Sequence, residues 1–197
     1  MLRRNFLLQM GAWAGMTGLS IAGCTPIATT TATPGTSSGK RNHDIDINVD
    51  ATLTHLYETV RGSRELVRKA NGVLVFPSVI AAGLVIGGQY GEGALHIQNK
   101  PSGYYSLASL SVGLQIGAQS KAIIFLFMTA DALDRFRKSE NWSAGADASV
   151  ALLKVGANGD LDLSTANAPV DAFVLTNAGL MANLTLEGTK ISRLKIQ

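Results

Sequence analysis

Cysteine, histidine and charged residues are all scarce in this 197-residue sequence. It contains one cysteine and three histidines, and 16% of its residues are charged against 46% that are hydrophobic. One cysteine excludes an intramolecular disulfide, and three histidines leave little for a His/Cys zinc cluster. The net charge of +3 is too small for a strongly basic nucleic-acid module, and the hydrophobic content excludes an acidic disordered tail. We therefore expect a folded domain with no metal, no cofactor and no nucleic-acid partner.

The N-terminal segment has the composition of an export signal. Residues 1–23 carry Arg3 and Arg4 but no acid, so the remainder holds 15 of the 17 basic residues against 14 acidic ones. A cationic start, an apolar run from Phe6 to Ile21 and small residues before Cys24 are typical of a signal peptide. The run is short for a membrane-spanning helix, which needs about 20 apolar residues. We predict that residues 1–23 are a signal peptide.

The single cysteine, Cys24, ends the segment Leu19-Ser-Ile-Ala-Gly-Cys24, which resembles the lipoprotein box of bacterial lipoproteins. The resemblance implies cleavage before Cys24 and lipid attachment, with fatty chains such as palmitate, at its thiol. Two or more acyl chains make a stable anchor. Thr25 in the next position implies the outer membrane, with the folded part facing the periplasm. The alternative is an ordinary secreted protein whose leader ends near a cysteine. Arg3-Arg4 also resembles a twin-arginine export signal, and the general secretory route is the other possibility.

The chain after Cys24 divides into a spacer and one domain. Thr, Ser, Pro, Gly and Ala dominate up to about residue 42, and such a composition buries too little apolar surface to order itself. We predict that residues 24–43 are the lipidated cysteine and a flexible tether, with a reach of about 25 Å. Residues 44–197 are uniform in composition and predict a single domain.

Periodicity predicts helices at the start of this domain and strands after them. Asp50 is placed to cap a helix through Leu53, Leu56, Tyr57 and Val60, and Gly62-Ser63 interrupts it before a second short helix that ends near Ala70. Alternation predicts a strand from Leu110 to Ala118 with the leucine face buried, and an unbroken apolar run predicts a strand covered on both faces at Ala122–Met128. A short helix is predicted at Asp131–Lys138, and a half-buried strand from Leu180 to Glu187.

Short turns between successive strands predict an α+β fold with a strongly curled, barrel-like antiparallel β-sheet, N-terminal helices and one short internal helix. Glycines at 83, 87, 91 and 93 share one strand face, so another part of the chain must approach that face closely or the strand must bend there.

No catalytic motif is complete in the sequence. The glycine-rich segment 87–93 lacks the Gly-Lys-Ser/Thr ending of a phosphate-binding loop. The acidic segment 44–50 has Val49 where a calcium loop needs glycine, which leaves weak Ca²⁺ binding as a minor alternative. His43, His55 and His96 fit surface or half-buried positions better than the role of general base. A hydrolase with dispersed acidic residues is therefore the least favoured alternative.

A basic cluster follows the first predicted helix and consists of Arg61, Arg64, Arg68 and Lys69. If the helix continued through Gly62, the three arginines would fall within about 60° of one another, beside an apolar stripe. A basic amphipathic element of this kind suits an anionic lipid surface. The alternative is an ordinary core-packing helix with solvated arginines.

Four ordered blocks resemble the SYLF-domain family. They are Ala70–Pro77, Ala82–Gly93, Ser111–Gln119 and Gly179–Gly188, and they cover most of residues 50–192. In eukaryotic adaptors this family is associated with lipid membranes and in some members with actin, while bacterial members are exported proteins or lipoproteins. Lys121 and Asn177-Ala178 depart from the family pattern.

The resemblance implies a non-enzymatic domain that binds anionic lipid or phospholipid, with Arg61, Arg64, Arg68 and Lys69 attracting the membrane and the adjacent apolar residues inserting into it. The alternative is an envelope scaffolding protein that binds another protein through a sheet edge and contacts lipid through its acyl anchor alone.

Overall fold

The computed structural model describes residues 34–83, 86–112, 119–155, 160–162, 166, 168–176, 179–180 and 185–195. The predicted signal peptide, Cys24 and the first part of the tether lie outside the described residues. Residues 32–197 form one compact unit. The helices in the described ranges are α1 (Pro34–Thr59), α2 (Ser63–Lys69) and α3 (Ala130–Lys138). No helix in these ranges is both long and apolar enough to cross a membrane.

The strands described, in chain order, are β1 (Gly72–Gly83), β2 (Ile86–Ile97), β3 (Lys100–Val112), β4 (Gln119–Phe127), β5 (Asn141–Ser143), β6 (Val150–Leu152), β7 (Lys154–Val155), β8 (Leu161–Asp162), β9 (Val170–Thr176), β10 (Gly179–Leu180) and β11 (Lys190–Arg193). The main sheet has the order β10-β9-β4-β1-β2-β3-β11-β5, with β6 added in parallel to β9. The other pairings in this sheet are antiparallel, and β7 and β8 form a separate pair. The predicted α+β class, with two N-terminal helices and one internal helix, is confirmed.

The sheet curls because its distant strands meet in one core. Phe127 on β4 and Trp142 on β5 have ring centroids 6.2 Å apart, although four strands lie between β4 and β5 in the sheet order. Phe136 of α3 packs against both rings inside the curl. A second core lies on the other sheet face, where α1 and α2 cover β1, β4 and β9. The two cores make β4 buried on both faces, as its unbroken apolar run predicts.

Helix α1 begins well before the predicted cap at Asp50. The last ten residues of the predicted tether, 34–43, are helical. Ile45 and Val49 are buried in the second core, and the Arg41 guanidinium donates to the Glu92 carboxylate on β2. These contacts join residues about 50 positions apart, so local composition could not reveal them. Residues 34–43 are thus helical, whereas their composition predicts a flexible tether up to residue 43.

Strand β1 continues through Pro77, a residue type that is rare inside central strands. A bulge lies between Val75 and Ser78 in the register with β2. Proline cannot donate to a ladder of hydrogen bonds, so a bulge is where a central strand can hold one. The bulge leaves Phe76 and Pro77 opposite Gly93 and explains why a glycine is required there.

The predicted burial of Leu110 is wrong, and residues 113–118 of the same predicted strand lie outside the described residues. Leu110 is 85% exposed, whereas Tyr105 and Leu107 on the opposite face of β3 are buried. The predicted parity fails because the register places Leu107 beside Gly91 and Val79 over the first core. Of the strand predicted from Leu180 to Glu187, Leu180 lies in β10, residues 181–184 lie outside the described residues, and residues 185–187 lead into a turn at Gly188. The last described strand is β11.

Candidate functional site

The predicted basic cluster lies at the corner between α1 and α2. Gly62 adopts a left-handed backbone, with φ of 82°, and separates the two helices. The buried hydroxyl of Ser63 donates to the carbonyls of Val60 at 2.6 Å and Leu56 at 3.2 Å, which holds the bend in place. The interruption predicted at Gly62-Ser63 is confirmed, so the angular grouping that assumed a continuous helix does not apply.

The corner still presents four exposed basic side chains, which belong to Arg61, Arg64, Arg68 and Lys69. Arg61 pairs through its backbone with Asp160, while the other three lie on α2. The Arg64 guanidinium lies over the ring of Tyr57, 4.4 Å from its centroid, in a cation–π contact. Burial raises the pKa of Tyr57, and the positive charge of Arg64 opposes that rise. We call these four residues the basic corner.

Two cavities flank α2, and basic residues of the corner line both of them. Arg61 and Lys69 line a cavity of about 210 Å³ together with Glu65 and Asp160. Arg68 and Lys69 line a larger one of about 620 Å³. None of the four basic side chains forms an ion pair with a carboxylate of the described residues. The basic corner is thus a surface of unpaired cations with a few nearby acids.

The apolar residues beside the basic corner serve the core. Leu56, Val60 and Val67 are buried, and Leu53 and Tyr57 pack partly buried against the same cluster. The predicted role of this stripe in membrane insertion is therefore wrong, because exposing it would open the second core. What remains for lipid contact at this corner is electrostatic.

The acidic segment 44–50 forms part of α1 instead of a calcium loop. Asp46 accepts a hydrogen bond of 2.9 Å from the Tyr104 hydroxyl on β3, and burial with this contact raises the pKa of Tyr104 to about 12. Across the part of the chain that the structure describes, no group of three or more His, Cys, Asp or Glu residues could hold a metal ion. His43 and His55 are exposed on α1, and burial in β2 lowers the pKa of His96.

A polar cavity between α1 and the sheet was not found by sequence reasoning. It has a volume of about 360 Å³, and Lys121 at the start of β4 lines it. Lys121 is 8% exposed, and burial lowers the pKa of its amino group. The signal available in the sequence was a lysine at the edge of the apolar run 122–128. Because Ile123 and Phe125 face the first core and Ile124 faces α1, the alternation of β4 places the Lys121 side chain on the face away from α1.

Three large apolar side chains are exposed on the β1–β2–β3 part of the sheet. Ile80 is 54%, Tyr90 52% and Leu110 85% exposed. Ile80 and Tyr90 are direct cross-strand partners, and Leu110 lies on the same face of β3, two positions from the partner of Tyr90. The predicted burial of Leu110 hid this patch from sequence analysis.

The described residues thus combine a curled α+β sheet with a basic corner, a polar cavity and an exposed apolar patch. The family model of Ysc84, described as Las17-binding protein actin regulator, matches residues 108–195. The SH3 domain-containing YSC84-like protein 1 of Pongo abelii is 26% identical over 130 residues, which is 63% of this chain and 37% of that protein. Its counterpart in Rattus norvegicus is 27% identical, with 63% and 38% covered.

The matched segment and these relatives agree with the resemblance to the SYLF-domain family that the four sequence blocks carry. It spans less than two-fifths of the length of the curated relatives that it matches.

Proposed function

We propose that this protein is a bacterial lipoprotein, anchored through Cys24 in the outer membrane and facing the periplasm, whose SYLF domain binds anionic phospholipid without catalysing a reaction. The observation that supports the lipid-binding part most directly is the basic corner. Its four cations are exposed and unpaired with carboxylates of the described residues, and they follow one another within nine positions of the chain.

Electrostatic attraction is the main contribution that this corner can make. Each basic residue near an anionic surface contributes about 1 kcal/mol, and the attraction falls off over about 8 to 10 Å at physiological salt. The apolar neighbours of the corner are committed to the core, so binding should weaken strongly as salt is added. An acyl anchor at Cys24 would hold the corner close to the bilayer and raise its effective concentration there.

Vesicle flotation of residues 32–197 tests lipid binding apart from the acyl anchor. This fragment is a compact unit that contains both cores. We expect it to float with phosphatidylglycerol vesicles and not with phosphatidylcholine vesicles. Changing Arg61, Arg64 and Arg68 together to Glu should weaken anionic binding by about a hundredfold or more, since three favourable charges of about 1 kcal/mol each are lost.

A matched control changes three exposed basic residues elsewhere, Arg137, Lys138 and Lys190, to Glu. The net charge changes by the same amount, but the basic corner stays intact. Equal loss in both triple variants would show that net charge alone governs binding. Equal recovery with neutral and anionic vesicles would contradict anionic-lipid binding.

The anchor at Cys24 is tested in the native host. We expect radiolabelled palmitate to be incorporated into the wild-type chain and not into Cys24→Ser, and the labelled protein to fractionate with the outer membrane. A wild-type chain that takes up no label would overturn the lipoprotein assignment while leaving the flotation result independent.

A second candidate function is that of an envelope scaffold that binds another protein. The exposed patch of Ile80, Tyr90 and Leu110 favours it, because adjacent exposed apolar side chains often mark interaction surfaces. Crosslinking in cells should then give one dominant protein partner, and Ile80→Asp with Leu110→Asp should remove that partner. Unchanged crosslinks in the double variant would exclude the patch as the contact.

A further inference from the structure

The exposed patch of Ile80, Tyr90 and Leu110 lies on the same sheet face as α1. On β1, Val79 packs in the first core, so the neighbouring Ile80 points to the opposite face. Tyr90 is the cross-strand partner of Ile80, and Leu110 is three positions from Leu107 of the first core, which places it on the opposite face too. That face carries the second core, which α1 and α2 cover. The patch is the part of the face that the helices leave open.

The patch is open to solvent among the described residues. Ile80 and Tyr90 are each about half exposed, and Leu110 is 85% exposed. Gly88 on β2 is the cross-strand partner of Leu110, and a Cβ atom added at Gly88 would meet no heavy atom within 4 Å. Large apolar side chains on an open face gain free energy when an apolar partner covers them.

The first turns of α1 lie beside the patch. The Glu92 carboxylate accepts a hydrogen bond of 2.7 Å from the Tyr90 hydroxyl and one of 2.8 Å from Nε of Arg41. Glu92 therefore links the patch to α1. Arg41 is seven residues from the start of α1 at Pro34, which is about 10 Å of helix. The 33 residues that precede α1 thus join the domain near the patch.

This position favours a bilayer as the partner of the patch. Under the proposed lipid anchor, Cys24 precedes Pro34 by ten residues, which reach at most about 35 Å when fully extended. The anchor would therefore keep the membrane surface within that distance of the start of α1. A stable protein complex buries about 800 Å² per partner and involves about 20 to 30 residues a side, which three side chains do not supply.

The three side chains also suit the interfacial region of a bilayer. Ile80 on β1 and Leu110 on β3 stand on either side of Tyr90 on β2. Tyrosine is enriched at membrane–water interfaces, because its ring is apolar and its hydroxyl polar. The Tyr90 hydroxyl is already bonded to Glu92, so the ring can be covered while its polar end stays satisfied. Each aliphatic side chain that leaves water strengthens binding by about tenfold or more.

We propose that the exposed patch is a second membrane contact, in which Ile80, Tyr90 and Leu110 insert into the headgroup region of the bilayer. This inference rests on the proposed lipid-binding function. It adds an apolar contact near the N-terminal end of α1, whereas the basic corner follows the other end of that helix at Thr59. Salt screens the attraction of the basic corner, but it does not screen the burial of apolar side chains.

Fluorescence from a label at residue 110 tests the insertion. The fragment 32–197 contains no cysteine, because Cys24 is the sole one of the chain, so Leu110→Cys provides a single labelling site. With the environment-sensitive fluorophore NBD on that cysteine, we expect a blue shift and a rise in emission when phosphatidylglycerol vesicles are added. Gln98→Cys, in the turn at the opposite end of β2 and β3, should show neither change.

Unlabelled variants measure how much the patch contributes. Ile80→Ser with Leu110→Ser should weaken flotation with phosphatidylglycerol vesicles by about tenfold or more. This loss should stay constant as salt is added, whereas the loss caused by the triple arginine variant should shrink. Ile47→Ser is the matched control and should float as wild type does. Ile47 is 53% exposed on α1 and lies between Ile45 and Val49, which face the second core, so it points away from the sheet.

The proposal is overturned if the fragment floats while the labels at residues 110 and 98 respond alike, or if the Ile80 and Leu110 double variant floats as well as wild type. Both results leave the basic corner as the lipid contact, so the proposed function survives them. A fragment that does not float at all contradicts the proposed function instead. In that case a hexahistidine tag ahead of residue 32 holds the fragment on phosphatidylcholine vesicles that contain nickel-chelating lipid. A blue shift at residue 110 there supports the patch, and its absence overturns it.

Two other partners of the patch would give different results. A second copy of the chain would make the wild-type fragment a dimer in sedimentation experiments and the Ile80 and Leu110 double variant a monomer. A protein partner would give one dominant crosslink from residue 110 in cells, while the label at that residue shows no shift on vesicles. Either result overturns the membrane contact.

Discussion

Gly93 on β2 occupies a position that no other residue should tolerate. A Cβ atom built there would lie 1.9 Å from the carbonyl oxygen of Val75 and 2.8 Å from Cδ1 of Phe76. The clash involves the backbone of a central strand, which cannot rotate away as a side-chain tip could. Gly93→Ala therefore has to separate β1 from β2 or remove the bulge.

The stability lost to this clash exceeds the small stability that alanine gains over glycine. Overpacking costs about 1 to 3 kcal/mol, and more where the backbone must move. Alanine stabilises by about 0.4 to 1 kcal/mol, because it lowers the conformational entropy of the unfolded chain. We expect Gly93→Ala to lower the free energy of unfolding by about 3 kcal/mol, which is a fall in Tm of about 6 to 12 °C for a domain of this size.

Urea unfolding of residues 32–197 measures this effect. Trp142 is the sole tryptophan of that fragment and is 1% exposed, so its fluorescence reports on the first core. Gly88→Ala is the matched control, because it lies on the same strand with nothing within 4 Å of the added Cβ, and it should be neutral or slightly stabilising. A Gly93→Ala domain within about 0.5 kcal/mol of wild type would refute the reasoning about the bulge.

Two further predictions concern single buried or capping groups. Asp171 on β9 is fully buried, and burial raises its pKa to about 6 against a smaller opposing effect of the Ala168 backbone N–H. Because the unfolded carboxyl ionises near pH 4, the free energy of unfolding should fall as pH rises from about 4 to about 6. Urea unfolding of Asp171→Asn should therefore show about 3 kcal/mol less pH dependence than wild type between about pH 3 and pH 7. Parallel pH curves for variant and wild type would contradict the burial argument. The Thr129 hydroxyl caps α3 by accepting a hydrogen bond of 3.2 Å from the Ala132 N–H. Calorimetry of Thr129→Ala should therefore show a loss of about 1 kcal/mol in the free energy of unfolding, whereas Thr54→Ala, at an exposed position of α1, should show no loss. Equal effects of the two substitutions would rule out the cap.

Local pattern predicted the elements whose signals are contained in a few residues. The run Ile123–Phe127 indicates a strand buried on both faces, because no polar residue interrupts it. Helix α3 was predicted to within one residue at its start, since its apolar positions repeat at helical spacing and a basic turn ends it. The break at Gly62 follows from the backbone freedom of glycine.

The residues that pattern misjudged depend on partners far along the chain. Leu110 alternates with polar neighbours, but the sheet register and not the alternation decides which face of β3 lies over the core. The early part of α1 has the composition of a spacer, and it is held by contacts from Arg41 to Glu92 and from Asp46 to Tyr104.

By itself the sequence determined the family resemblance, the α+β class, the order of most elements and the exposure of the basic residues at the α1–α2 corner. These depend on short-range periodicity, on glycine conformation and on ordered blocks of residues. The tertiary structure alone decided that the apolar stripe near the corner is core and that a polar cavity lies between α1 and the sheet. Both outcomes depend on long-range packing of α1 against strands from distant parts of the chain, and burial is a property of that packing and not of any local segment.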